Sequence, residues 1–140
     1  MNVLDRVLKD MGFLPTLAIV IILGLALQLT GVWITMLIAG VFGGFFTKRN
    51  SKAFLVSFLG IGIAWSIVFV YLVVTTPAIT IAGFFINMLG LNESFSITLI
   101  VISILIGALF GGLSGILGRA VHELAQALSI KKLYVRKTKV

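Results

Sequence analysis

Residues 11–47 run MGFLPTLAIVIILGLALQLTGVWITMLIAGVFGGFFT and contain no Asp, Glu, Lys, Arg or His. Two further uncharged stretches follow, at residues 53–92 and 94–118. A helix needs about 20 predominantly apolar residues to cross a hydrocarbon core of about 30 Å. Each stretch is therefore long enough for at least one crossing, and together they predict an integral α-helical membrane protein.

The overall composition favours the same interpretation. Hydrophobic residues make up 60% of the chain and charged residues only 11%, whereas soluble domains carry about 25% charged residues. A soluble all-helical protein with a very apolar core is disfavoured because three long uncharged stretches occur in one small chain. A cleavable signal peptide is disfavoured for the first stretch because Asp5 and Asp10 precede it and no clear A-x-A site follows it.

Length decides how these stretches divide into helices. One helix over residues 11–47 would be about 55 Å long, nearly twice the hydrocarbon core, so we predict two short spans that turn at residues 28–31. Pro77 ends the next span because proline cannot continue a helix. The predicted fold class is thus an all-α membrane protein of two helical hairpins, with four transmembrane helices at residues 13–29, 32–46, 53–76 and 95–117.

Amphipathic segments flank the predicted spans at both ends of the chain. Residues 1–11 place apolar side chains on one helical face and charged side chains on the other, which predicts a short surface helix. Residues 118–130 continue the last span as an amphipathic helix, either on the membrane surface or docked on a partner. Its apolar stripe consists of Leu117, Val121, Leu124 and Leu128.

The positions of the basic residues predict the topology. Residues 78–91 are apolar but short for a crossing. If they crossed, the basic tail at residues 131–140 would lie on the opposite side from the basic loop at residues 48–52. The positive-inside bias therefore favours an interfacial or re-entrant segment at 78–91. The protein is then a multi-pass plasma-membrane protein with both termini in the cytoplasm.

The net charge of +7 also predicts a preference for anionic headgroups, worth about 1 kcal/mol for each well-placed cation. Nucleic acid is disfavoured as a partner because the basic residues flank spans and no recognition motif accompanies them. The predicted headgroup-binding residues are Lys48, Arg49, Lys52, Arg119, Lys131, Lys132, Arg136 and Lys137.

Small residues at four-residue spacing are the strongest local motif. Gly40 and Gly44 form one GxxxG pattern, and Gly107, Gly111 and Gly115 form two overlapping ones. In lipid, close backbone approach over glycines brings helices together, because apolar burial supplies no driving force there. These five glycines are therefore predicted helix-packing residues, either within one chain or between chains.

Residues suited to catalysis or metal binding are scarce. No ionisable side chain falls within a predicted span, whereas intramembrane enzymes and proton-coupled carriers depend on such residues. His122 is the one histidine, and we predict a surface histidine beside an i,i+4 ion pair of Arg119 with Glu123. No catalytic residue, metal site or cofactor is predicted, and an enzyme is not expected.

Residues 39–54, AGVFGGFFTKRNSKAF, join a glycine-bearing span to the next span through a short basic loop. In this feature the chain resembles small glycine-rich four-span membrane proteins of unknown function that are common in archaea. The resemblance covers about a third of the chain. It implies a multi-pass helical membrane protein and transfers no catalytic residue.

Two functional hypotheses follow from these features. The first is a non-enzymatic membrane protein that acts through helix packing, as an accessory or structural subunit of a larger complex or as a self-associating homo-oligomer. The alternative is an oligomeric channel or uncoupled facilitator for a small solute or ion, with several chains supplying the path because one small chain leaves little room for it.

Overall fold

The computed structural model describes residues 12–32 and 34–137, with side chains up to Leu128 and that of Ile130. The surface helix predicted at residues 1–11 and the last three residues of the basic tail lie outside this part of the chain. The described residues are helical and contain no strand, which confirms the all-α prediction. They form α1 (Phe13–Gln28), α2 (Thr35–Phe45), α3 (Asn50–Thr75), α4 (Ala78–Met88), a 3₁₀ turn (Glu93–Phe95) and α5 (Ser96–Lys137).

Two of the described helices are long and apolar enough to cross a membrane. They are α3, with 26 residues, and the region Glu93–Leu128, which covers the 3₁₀ turn and most of α5. The hairpin predicted at residues 13–46 is present as α1 and α2, but these have only 16 and 11 residues. At about 1.5 Å per residue they are about 24 and 17 Å long, shorter than a full crossing.

The two long helices run antiparallel. A Cβ added to Gly107 would lie 3.0 Å from the Trp65 ring, whereas one added to Gly115 would lie 2.6 Å from the Ala53 carbonyl. Residue numbers therefore rise along α5 as they fall along α3. Thr75 and Ser96 consequently lie at the same end of the pair.

The α1–α2 hairpin packs against one end of this pair. Val20 lies against Gly60, and Gly24 lies against Ala64, so α1 and α3 run in the same direction. α2 returns antiparallel to both. The core between these helices is a cluster of buried apolar residues: Val20, Met36, Ala39, Val56 and Ile61.

The turn between α1 and α2 is held by threonine hydroxyls. Gly31 adopts φ +74°, a left-handed conformation that glycine accepts without strain. Thr30 and Thr35 both donate to the Leu27 carbonyl, at 2.6 and 3.0 Å, and Thr35 also donates to the Val32 carbonyl at 2.6 Å. The same two carbonyls also accept from backbone amides, Leu27 from Thr30 and Val32 from Thr35, both at 3.1 Å, so the hydroxyls add to the backbone bonds of the turn. α2 consequently begins at Thr35, later than the predicted span at residue 32.

α4 joins the ends of α3 and α5 that lie farthest from the basic loop. Thr76 leaves the helical conformation with φ −135° and ψ 160°, as expected before Pro77, and α4 begins at the next residue. Ala82 and Ile86 are buried while most of the helix is exposed. Since both ends of α4 connect to the same end of the long pair, α4 does not run the length of the pair.

The last predicted span and the predicted amphipathic helix form one continuous helix. α5 contains 42 residues and continues into the segment predicted as a basic tail. Along its uncharged part, α5 presents apolar side chains outward. In each of the two helices long enough to cross a membrane, only 33% of an apolar 18-residue stretch is buried.

The threonine bonds at the turn give the first testable prediction. The Thr35→Val substitution keeps the side-chain shape and removes the one hydroxyl donor that the Leu27 and Val32 carbonyls share, so we expect the free energy of unfolding in mild detergent to fall by about 1 kcal/mol. The matched control is Thr75→Val, because Thr75 bonds only the Tyr71 carbonyl of its own helix and should change stability by less than about 0.5 kcal/mol. Equal effects of the two substitutions would show that the turn does not need these bonds.

Candidate functional site

Glycines bring the backbones of α2 and α5 into direct contact. A Cβ added to Gly40 would lie 2.9 Å from the Gly111 carbonyl oxygen, and one added to Gly44 would overlap the Gly115 carbonyl. Real Cβ atoms essentially never approach other atoms so closely, so neither position can carry a side chain unless the helices move apart. These four residues, together with Gly118, form what we call the glycine seam.

Gly118 extends the seam by one turn. A Cβ added to it would overlap the carbonyl of Val41 on α2. The GxxxG pattern did not include this residue because Gly118 follows Gly115 by three positions. A search for small residues at both i,i+3 and i,i+4 spacing, which share one helical face, would have found it.

Ser57 of α3 closes the seam from the third side. Its hydroxyl is fully buried and donates to the Gly40 carbonyl at 2.9 Å. Gly43 and Gly115 both pack against the Ser57 side chain. A buried interhelical hydrogen bond of this kind joins three helices at one point, and no local sequence pattern indicates it.

Gly107 lies apart from the seam. It faces the indole ring of Trp65, whose N–H donates to the Met36 sulfur. Beside this contact is an apolar cavity of about 180 Å³ between α2, α3 and α5. Of the five predicted glycines, Gly40 and Gly44 make room for α5, and Gly107 makes room for an aromatic ring. Gly111 and Gly115 offer their carbonyls to α2, while an added Cβ on either would meet α3. All five face other helices of the same chain.

The seam ends in a polar cluster. Arg119 forms an ion pair with Glu123 at 2.6 Å, which confirms the predicted i,i+4 pair. The same guanidinium donates to the Thr47 carbonyl at 3.4 Å, at the end of α2. Thr47 is itself buried, and its hydroxyl donates to the Gly43 carbonyl at 2.6 Å. This cluster therefore ties α5 to the α2–α3 loop where the uncharged stretches end.

His122 is buried, so the prediction of a surface histidine was wrong. Only 8% of it is exposed, and its ring packs edge-on against Phe45 with centroids 4.9 Å apart. Nε2 lies 2.9 Å from the Gln126 amide nitrogen, whereas Nδ1 is buried without a hydrogen-bond partner. The reason is that α5 continues along the end of α2 and keeps the His122 face against it.

The predicted headgroup-binding residues lie at the same end. Lys48, Arg49 and Lys52 are exposed on the loop and first turn after α2, whereas Arg119 is partly buried in the polar cluster. Lys131, Lys132, Arg136 and Lys137 fall on the last turns of α5. Every predicted headgroup-binding residue with a described side chain is thus found at the end where α2 stops and α3 begins.

The described residues of this region form helix-packing contacts. Among the described residues, no three His, Asp or Glu side chains lie close enough to hold a metal ion. Arg119 and Glu123 are paired with each other. Comparison with protein-family models, curated proteins and solved structures gave no match, so the resemblance to glycine-rich archaeal proteins stays a prediction.

The seam predicts a strong effect of one added methyl group. Gly44→Ala should force α2 and α5 apart and lower the free energy of unfolding by about 3 kcal/mol, because the new Cβ meets rigid backbone. Gly62→Ala is the matched control, since its Cβ would lie 3.2 Å from the Ala108 methyl and should change stability by less than about 1 kcal/mol. The measurement is unfolding of the purified variants in mild detergent.

Another prediction concerns the hydrogen bond from Ser57 to the Gly40 carbonyl. Ser57→Ala should destabilise the protein by about 0.6 kcal/mol or more, in the range measured for interhelical bonds in membrane proteins. Ser66→Ala is the control because Ser66 donates to Gly62 of its own helix. If the Gly44→Ala background abolishes the effect of Ser57→Ala, the two act through the same three-helix contact. An equal loss in both backgrounds contradicts this coupling.

Proposed function

We propose that the chain is a non-enzymatic integral membrane protein that acts through helix packing, as an accessory or structural subunit of a membrane complex. The observation that supports this proposal is the outward exposure of apolar side chains on the long helices. Val70 is 64% exposed and Val74 is 79% exposed on α3, and Ile97 is 63% exposed on α5. A soluble protein would bury such side chains, whereas lipid is a favourable surrounding for them.

The proposed arrangement in the bilayer uses helices of unequal length. α3 and α5 are full spans, and α1 and α2 are short spans that enter from the basic end as a hairpin. Thr30 and Thr35 place hydroxyls at the tip of this hairpin, which suits the polar edge of the outer leaflet. α4 then lies at the outer side, and both termini are cytoplasmic in the plasma membrane.

Charge supports this orientation. The loop residues Lys48, Arg49 and Lys52 are exposed at one end of the bundle, whereas Glu93 lies at the other end with its carboxylate accepting from Asn87 at 2.8 Å. Cations near anionic headgroups are stabilising by about 1 kcal/mol each, and the positive-inside bias places them in the cytoplasm. The bilayer with anionic headgroups is therefore the first proposed partner.

A subunit role follows from how the small residues are used. The glycine faces are filled by helices of the same chain, so other proteins must contact the outward faces. The same filling counts against a path through a single chain, because the α2–α5 contact has no space between its backbones. A channel would require several chains, whereas an accessory subunit requires only one exposed docking face.

The absence of cysteine from the sequence makes a topology test direct. Single Ser51→Cys and Ser94→Cys variants place one thiol at each end of the bundle, at exposed positions. In intact cells we expect an impermeant maleimide to label Ser94→Cys at once and Ser51→Cys only after permeabilisation. The protein should also stay in the membrane pellet after alkaline carbonate extraction.

A third variant, Thr30→Cys, places the thiol at the tip of the hairpin. It should react from the same side as Ser94→Cys if α1 and α2 cross. Labelling of Ser51→Cys and Ser94→Cys from one side would contradict the proposed topology. The subunit role is then tested by purification in mild detergent: a defined complex with another membrane protein supports it, and an inert monomer counts against it.

A further inference from the structure

The C-terminal part of α5 projects beyond the other described helices. α5 packs against α2 through Gly118, Arg119 and His122. After His122, every described side chain from Glu123 to Leu128, and that of Ile130, is exposed. We call Glu123–Lys137 the α5 extension. Along its described side chains, no other described helix lies against it.

The extension carries an apolar stripe that is continuous with the span. Leu117 is 59% exposed, Val121 47%, Leu124 61% and Leu128 58%. Their 4-3-4 spacing places them on one face, away from the face that carries the glycine seam. An isolated helix of this length is marginal in water, so burial of Leu124 and Leu128 against another surface would stabilise it.

The membrane in which α5 is proposed to be inserted is poorly placed to cover this stripe. α5 is one unbroken helix from Ser96 to Lys137, so the extension continues in the direction of the span. Lys137 lies about 27 Å beyond Arg119 at 1.5 Å per residue, which is several times the Debye length of about 8 Å at physiological salt. In this arrangement the headgroups contact neither the outer part of the stripe nor the last turns, so the inference replaces the headgroup-binding role predicted for Lys131, Lys132, Arg136 and Lys137.

A second copy of the chain is disfavoured by charge. Copies inserted in the same orientation would bring their α5 extensions together in parallel. Glu123 is the one acid of the extension, and it is paired with Arg119. The last turns carry Lys131, Lys132, Arg136 and Lys137 without an acid between them. Parallel pairing would place these like charges side by side, which is destabilising.

We infer that the α5 extension docks in a groove of a protein partner that is apolar at its centre and acidic at its rim. The stripe would fill the groove in the way that an amphipathic helix fills a helix-binding groove. The basic residues of the last turns would face acidic side chains, which raises the association rate and selects the partner. This inference rests on the proposed subunit role and names the chemistry of the partner.

The test uses the full chain in nanodiscs of neutral phosphatidylcholine and two helical peptides of three heptads with Leu at a and d. One peptide carries Glu at e and g, and the other carries Lys. A fluorophore on Ala125→Cys, next to the stripe, reports binding. We expect the acidic peptide to bind at least about tenfold more tightly than the basic peptide, and its binding to weaken as salt is raised.

The double substitution Leu124→Ser with Leu128→Ser should weaken binding of the acidic peptide about tenfold or more, because it removes both central apolar contacts. Ile130→Ser is the matched control. Ile130 is 68% exposed but lies off the stripe, so its substitution should change binding by less than about threefold. Equal binding of the two peptides, or equal effects of these variants, would overturn the inference.

Two further outcomes would assign the stripe to another occupant and also overturn it. A shift of the fluorophore to an apolar environment when phosphatidylglycerol replaces phosphatidylcholine, with no peptide present, would mean that the membrane surface covers the stripe. Disulfide dimers of Leu124→Cys that form at low protein density would mean that a second copy covers it. Loss of carbonate-resistant membrane insertion would instead contradict the proposed function, so the two failures are distinguishable.

Discussion

The contact between the backbones of α2 and α5 determines where the other parts of the protein lie. Gly44 and Gly115 leave no room for a side chain, and Ser57 fixes the same point from α3 through its bond to the Gly40 carbonyl. Such a contact depends on van der Waals packing and one buried hydrogen bond, which are the interactions available to helices in lipid. It also sets the register of α5 on α2, and that register places Arg119 at Thr47 and His122 at Phe45.

The unequal lengths of the helices have a second consequence. Because α1 and α2 are short, their turn lies beside α3 and not at its end. There the Thr30 and Thr35 hydroxyls reinforce the backbone bonds to the Leu27 and Val32 carbonyls. At the end of the α3–α5 pair where Thr75 and Ser96 lie, the Asn92 side chain accepts from the Ser94 amide and caps the 3₁₀ turn before α5. Each break in helical structure is thus accompanied by a local side-chain bond.

The sequence alone predicted the helices better than their contacts. The uncharged stretches located α3 and most of α5, because the absence of charge over a long run depends only on composition. The start of α2 was placed too early, since it depends on how the Thr35 hydroxyl bonds across the turn. His122 was predicted on the surface because helical periodicity separates apolar from polar positions, but cannot tell which of the two faces packs on a neighbour. Ser57 and Gly118 were missed because their roles depend on which helices pair.

The two faces of α5 carry different kinds of residue, and this difference bears on the α5 extension. Along α5 the small and polar residues Gly111, Gly115 and His122 face the protein, whereas the large apolar residues Leu113 and Leu117 face outward. In the proposed bilayer setting this inverted arrangement would be stable, because lipid solvates large apolar side chains and the glycines permit close packing. Beyond Arg119, where the proposed topology places the helix in water, the arrangement continues unchanged. The proposed partner would there cover the stripe that lipid covers inside the bilayer, and the basic residues in the sequence of the last turns are the reason for proposing an acidic rim.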